Sequence, residues 1–125
     1  MKKRILVVDD SPSMRDLLRF ILEGSDYEVS EAPHGWSALA QMQASLPDLV
    51  MTDTMMPVMD GEQLVWRLRS NSRTACVPIL LLSANPNARE IASKADAVLG
   101  KPFSRTSLLE MVWSLVGEDS GGGTI

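Results

Sequence analysis

Five side chains able to do chemistry stand where the apolar runs of this sequence stop. Asp9 and Asp10 follow Ile5-Leu6-Val7-Val8, and Asp53 closes the run that starts at Leu49. Ser83 follows Val77 to Leu82, and Lys101 comes just after Ala97-Val98-Leu99. Any one of them alone reads as a loop cap or a solvated charge. Reactive groups at every buried strand end point instead to a shared cleft. Three carboxylates held close cannot all ionise cheaply, because like charges push their pKa values up unless a cation intervenes. Lys101 is one such cation, and an all-oxygen cluster also suits a hard divalent ion such as Mg²⁺. That ion takes one or two carboxylates, keeps waters and completes its shell with phosphate oxygens. A carboxylate can attack an anionic phosphoryl group only when the negative charge is neutralised on several sides. A metal held by Asp9 and Asp10 beside Asp53, the Lys101 ammonium and the Ser83 hydroxyl would each take one oxygen. Asp53 would then be the nucleophile that forms an acyl phosphate.

The elements that must bring these groups together follow from the pattern of the chain. Runs too short for helices, ending at those residues, read as strands buried on both faces of a parallel sheet. Tyr27 to Glu31 alternates more weakly, as an edge strand does. Between the runs lie helical spacings. Met14, Leu17, Leu18, Ile21 and Leu22 follow the Ser11-Pro12 start signal and stop near Gly24. Trp36, Leu39, Ala40 and Met42 follow Pro33-His34-Gly35, and Leu64, Val65 and Leu68 follow the cap at Asp60-Gly61. Asn85-Pro86 opens a short fourth helix, and Leu108, Val112 and Leu115 form one side of a last helix from about Ser104 to Val116. Five strands alternating with five helices predict an α/β fold: a three-layer (βα)5 flavodoxin-like sandwich around a parallel five-stranded sheet. With the weakest strand on an edge, the expected order is 2-1-3-4-5. Ligands of such sheets bind outside the carboxyl ends of the strands where the winding reverses, here between strands one and three.

Size and composition agree with one such domain over residues 1–117, followed by a flexible Gly-rich tail over 118–125. The chain has 125 residues, 45% hydrophobic and 22% charged, with a net charge of -4. That sign disfavours nucleic acid or an anionic membrane as the main partner. Lys2-Lys3-Arg4 leads into an apolar stretch too short for a signal peptide, and no stretch reaches the length of a membrane span. The single Cys76 excludes an internal disulfide and reads as a small, semi-buried side chain in a reducing, cytoplasmic setting.

As a set, Val7-Val8-Asp9-Asp10-Ser11, Asp53 through Met55-Met56-Pro57-Val58-Met59-Asp60-Gly61, Leu82-Ser83-Ala84 and Lys101-Pro102-Phe103 carry a resemblance. The chain resembles the receiver domain of bacterial two-component response regulators, especially the small chemotaxis type, from about Lys3 to Val116. The resemblance implies that Asp53 accepts a phosphoryl group from a phosphohistidine on a sensor histidine kinase or phosphotransfer protein. It implies Mg²⁺ at Asp9, Asp10, Asp53 and the Met55 backbone carbonyl, with Ser83 and Lys101 on the phosphoryl group, relaying the change to an output protein. It also implies a cis Lys101-Pro102 bond, and a signalling phosphoacceptor that assists its own phosphorylation and dephosphorylation rather than an enzyme acting on other substrates. Met55 and Asn85, two residues after Asp53 and Ser83, occupy positions that influence hydrolysis of the acyl phosphate in that family.

Two departures bear on output. Val98 stands three residues before Lys101, where the family usually has Tyr or Phe. The segment from Ser83 to Lys101 is about four residues shorter than usual, roughly one helical turn, and Lys94 replaces a customary glycine. These departures leave open an interaction scaffold of the same fold without regulated phosphorylation. A phosphatase of the haloacid-dehalogenase type would need a second Asp where Met55 stands. A flavodoxin would need a hydroxyl- and glycine-rich phosphate loop where Asp9-Asp10 would repel the phosphate. Other residues have plainer readings. His34 is a turn residue, Asp60 a helix cap, and Met51, Met55, Met56 and Met59 packing and loop residues. Trp113 falls off the apolar stripe of the last helix and is either a partner contact or a half-buried edge residue.

Overall fold

The computed structural model describes residues 2–84 and 94–117. The short helix expected from Asn85-Pro86 and the tail over 118–125 lie outside the described residues. The chain runs β1 (Arg4–Val8), α1 (Pro12–Gly24), β2 (Glu28–Ala32), α2 (Gly35–Ala44), β3 (Leu49–Asp53), α3 (Gly61–Arg69), β4 (Ile79–Ser83), β5 (Ala97–Gly100) and α4 (Arg105–Val116). All strand pairs are parallel and the sheet order is β2-β1-β3-β4-β5, as expected.

Alternation along the central strands explains the three layers, since successive side chains point to opposite faces. Leu6, Val8, Val50, Ile79 and Leu81 face α2 and α3, where they meet Ala38, Met42, Leu64, Val65 and Leu68. Ile5, Val7, Leu49, Met51, Leu80 and Leu82 face α1 and α4, meeting Leu18, Ile21, Leu22, Leu108 and Val112. Each side is a closed apolar core, so β1, β3 and β4 contain almost no polar residue except at their carboxyl ends. Three apolar positions read as core-facing lie outside it: Leu17 is 46% exposed and Trp36 50% exposed, and Ala40 is exposed as well. Helical spacing gives a stripe but not its width, and the sheet is covered by Leu18, Ile21, Ala38 and Met42 without them. Cys76 is also exposed, in the turn before β4, and not semi-buried.

Capping fixes where the helices begin. Ser11 Oγ accepts from Met14 N, with Pro12 at the first helical position. Asp60 accepts from Gln63 N, and Ser104 and Ser107 form a reciprocal capping pair. His34 is more than a turn residue: its Nδ1 accepts from Ser37 N and caps α2.

Three arginines tie elements together over distances that sequence spacing does not reveal. Arg69, at the end of α3, donates to the carbonyls of Ala75, Val77 and Lys94 and pairs with Asp96 at 2.7 Å. Asp96 Oδ2 also accepts from Ile79 N, so the lead-ins to β4 and β5 are fastened to one guanidinium. On the other side, Arg15 and Arg19 of α1 each hold one oxygen of Glu31 on β2, at 2.9 and 2.7 Å. The Arg19 guanidinium, helped by Arg15, holds the Glu31 carboxyl below its ordinary value of 4.5. A carboxylate with a lowered folded pKa stabilises above its unfolded value and loses that contribution as pH falls through the folded one. Glu31→Gln is therefore expected to cost about 1 kcal/mol at pH 7, the upper range for a partly exposed pair. Urea denaturation at a series of pH values should show parent and variant converging as pH drops below the ordinary carboxylate range.

Candidate phosphoryl-transfer site

The buried runs deliver their terminal residues to one edge of the sheet. Val8 pairs with Thr52, Asp53 with Leu82, and Ser83 with Gly100, so the residues beyond them lie side by side. Asp9, Asp10 and Asp53 can bring a carboxylate oxygen each within 4.8 Å of one another. Lys101 reaches the cluster from beyond β5, and its Nζ donates to Asp53 Oδ1 at 3.0 Å. Lys101 N donates to Ser83 O at 2.8 Å, which brings the loop after β5 against the end of β4. Ser83 is buried one residue beyond the cross-strand partner of Asp53. Met55 lies in the loop after β3 with its side chain 75% exposed, so it contributes no packing there.

The electrostatics are unbalanced. Asp9 is buried; its Oδ1 accepts from Ser11 N, but Oδ2 finds no hydrogen-bond partner among the described residues. Burial pushes the Asp9 carboxyl above its ordinary 3.8, with the charges of Asp53 and Asp10 adding to it. The Ser11 amide and the Lys101 ammonium oppose the rise. One ammonium among three carboxylates leaves the cluster net negative. An unsatisfied buried carboxylate oxygen beside two further acids is the donor set a hard divalent cation satisfies. Asp9, Asp10 and Asp53 therefore fit Mg²⁺.

Other residues hold the cluster in shape. Arg15 Nη1 donates to Asp9 O at 2.7 Å, connecting the Glu31 ion-pair network to the backbone of the acid cluster. No short motif announces this role, because the residue sits six positions along on α1. After Asp53 the chain turns sharply: Met59 N donates to Pro57 O across Val58, whose φ is 70°. A β-branched residue in such a three-residue turn is strained by about 1–3 kcal/mol. The turn returns the chain so that Gly61 N donates to Thr54 O at 2.9 Å, placing the start of α3 against the end of β3. A Cβ on Gly61 would overlap Asp53 O and come within 2.8 Å of Thr54 Cα, so glycine is required by this close approach. The Lys101-Pro102 bond is cis, as the resemblance implied. Val98, in place of an aromatic ring, is half-buried and packs on the core of the sheet face that α2 and α3 cover. His34 and Asp60 serve as caps away from the acid cluster, and Met56 and Met59 are buried packing residues.

Comparison with known proteins agrees with this geometry. Residues 5–113 match the family model described as the response regulator receiver domain. The chain is 38% identical over 126 residues to the sensor histidine kinase TmoS of Ectopseudomonas mendocina, covering 98% of this chain and 13% of that kinase. It spans about half the length of the transcriptional regulators it also matches. Among solved structures it is similar to the chemotaxis protein CheY4 of Vibrio cholerae, with a TM-score of 0.85 and 34% identity over 92% of this chain and 99% of that one. It is also similar to the receiver domain of a sensor histidine kinase from Pseudomonas aeruginosa, solved with a magnesium ion coordinated in the active site cleft. There the TM-score is 0.86 and the identity 26%, over 94% of this chain and all of that one.

Proposed function

Because the chain belongs to the response regulator receiver domain family, whose members work in phosphorelay signalling, we propose that Asp53 is its phosphoacceptor. The observation that carries this reading is the buried Asp53 carboxylate held by Lys101 at 3.0 Å beside two further acids, one with an orphaned oxygen. The donor is a phosphohistidine of a sensor histidine kinase or phosphotransfer protein. An Asp53 oxygen attacks phosphorus, an O–P bond forms, the N–P bond breaks, and the imidazole leaves with the electron pair and takes up a proton. Mg²⁺, when bound, neutralises phosphoryl charge that the acids alone would repel. Asp9 and Asp10 hold that ion together with Asp53 and the Met55 backbone carbonyl. Lys101 exchanges its contact with the Asp53 carboxylate for one with a phosphoryl oxygen, and the Ser83 hydroxyl donates to another.

Movement of Lys101 and Ser83 toward the phosphoryl group draws on the backbone bond between them and so shifts the ends of β4 and β5 together. With Val98 packed against the core, the signal does not use a rotating aromatic ring at that position. The output is delivered to another protein or domain in a cytoplasmic setting, without direct contact to nucleic acid or membrane. Among the described residues no helix is long and apolar enough to cross a membrane.

Incubation with Mg²⁺ and acetyl phosphate should give one phosphoryl adduct by mass spectrometry, and Asp53→Asn should give none. An adduct that persists in the variant, or none in the parent, overturns the assignment. The second of these results favours a scaffold, the alternative that Val98 keeps open.

A further inference from the structure

Away from the acid cluster, α2 and α3 enclose an open groove of about 440 Å³ whose walls include Trp36, Leu39, Trp66, Arg67 and Arg73. Trp36 is 50% exposed and Trp66 58% exposed, and the sheet-facing positions of both helices are filled by other residues. The Arg67 guanidinium lies 4.7 Å from the centre of the Trp36 ring, bridging the two helices by a cation–π contact. Arg73 donates to the Met42 carbonyl, which holds a second positive charge at the far end of the groove.

The charge balance of this face is opposite to that of the molecule. The chain carries a net charge of -4, yet none of the described residues lining the groove is acidic. Helix α2 contains no charged residue, and the one acid of α3, Glu62, sits in its first turn, away from Arg67 and Arg69 in the last. Paired exposed tryptophans flanked by arginine have the composition of a recognition hot spot, where aromatic and arginine side chains dominate binding energy.

We propose that the α2–α3 groove is a docking site for an acidic protein segment bearing an apolar or aromatic anchor. The anchor inserts between Trp36 and Trp66, and flanking carboxylates pair with Arg67 and Arg73. A second copy of this chain meeting groove to groove would set Arg67 and Arg73 against the same charges. A nucleic acid strand would have to approach a chain that is negative overall. The site is separate from Asp53, so docking does not depend on phosphoryl chemistry.

The test uses the full chain, labelled with ¹⁵N, and a random dodecapeptide display library. The strongest selected peptide is synthesised and titrated while the three indole N–H signals are followed. Selected sequences should carry Asp or Glu around an apolar residue, and titration should shift the Trp36 and Trp66 signals while Trp113, on α4, stays in place. Arg67→Glu and Trp66→Ala, both at exposed positions, should each weaken binding by about tenfold or more. An unchanged Trp113 signal and unchanged phosphorylation would show that these variants are folded. Several results would overturn the proposal: no selected peptide, selection without acidic residues, shifts confined to Trp113, or undiminished binding by both variants. So would indole shifts on simple dilution, which mark self-association, or equal shifts with oligothymidylate, which mark a single-stranded nucleic acid site.

Discussion

Asp9→Asn is expected to make the metal-free protein more stable while removing its response to Mg²⁺. The two effects have one cause. In the folded chain the Asp9 carboxyl is buried, one oxygen has no partner, and burial together with Asp53 and Asp10 raises its pKa. A group with a raised folded pKa binds its proton more tightly in the native state than in the unfolded one. Stability is then highest below the unfolded value and falls as pH rises through the folded one. At neutral pH the metal-free parent carries that penalty. The amide keeps an acceptor for Ser11 N, removes a charge and can donate toward Asp53. A gain of about 1–2 kcal/mol follows, the scale of relieving one unsatisfied buried polar group. The parent should also lose stability between acidic and neutral pH more steeply than the variant when no divalent ion is present. With Mg²⁺ at a hundred times its Kd, the parent should gain about 2.7 kcal/mol by mass action. The variant should gain almost none, because changes to even the outer shell of a metal site cost ~10–100-fold in affinity. Thermal denaturation across a Mg²⁺ series measures both. Equal responses in the two proteins would remove Asp9 from the ligand set.

Gly61→Ala is expected to be the most damaging single methyl addition in the site. The new Cβ would collide with Asp53 O and Thr54 Cα, which are backbone atoms pinned by pairing with β4 and by the Gly61–Thr54 hydrogen bond. Neither side can yield without moving Asp53 itself. A loss of about 2–4 kcal/mol is expected, at or above the usual range for overpacking, together with a large fall in the rate of phosphorylation by acetyl phosphate. Gly35→Ala is the control. Its Cβ would meet only the Met59 side chain, which is buried but can repack more readily than backbone, so the loss should be smaller, about 1–2 kcal/mol. Comparable melting temperatures for the two variants would contradict this account.

The site was legible from the sequence because its residues are exceptions to a simple pattern. A strand packed between two helix layers excludes charge from its middle, so Asp9, Asp53, Ser83 and Lys101 mark where the apolar runs end, and parallel pairing brings those ends together. Sheet order followed from the flavodoxin-like winding together with the polarity of β2, which belongs on an edge. Features made by long side chains were not legible. Nothing local indicates that Arg15 reaches the Asp9 carbonyl, or that Arg69 gathers groups 6, 8, 25 and 27 residues away. The exposure of Trp36 and Leu17 was missed because a tryptophan or leucine at helical spacing looks like core until the sheet is seen to be covered without it. The capping role of His34 was hidden for a different reason: imidazole is an uncommon substitute for the short oxygen side chains that usually announce a helix start.

The Arg69 clamp has a consequence for how this fold tolerates change. Ser83 is fixed by the sheet, and Lys94 and Asp96 are fastened to Arg69, so each end of the intervening span has its own anchor among the described residues. A bridge whose piers are founded separately can be rebuilt longer or shorter between them. A change of length between those two anchors is then expected to leave the cleft at the strand ends undisturbed.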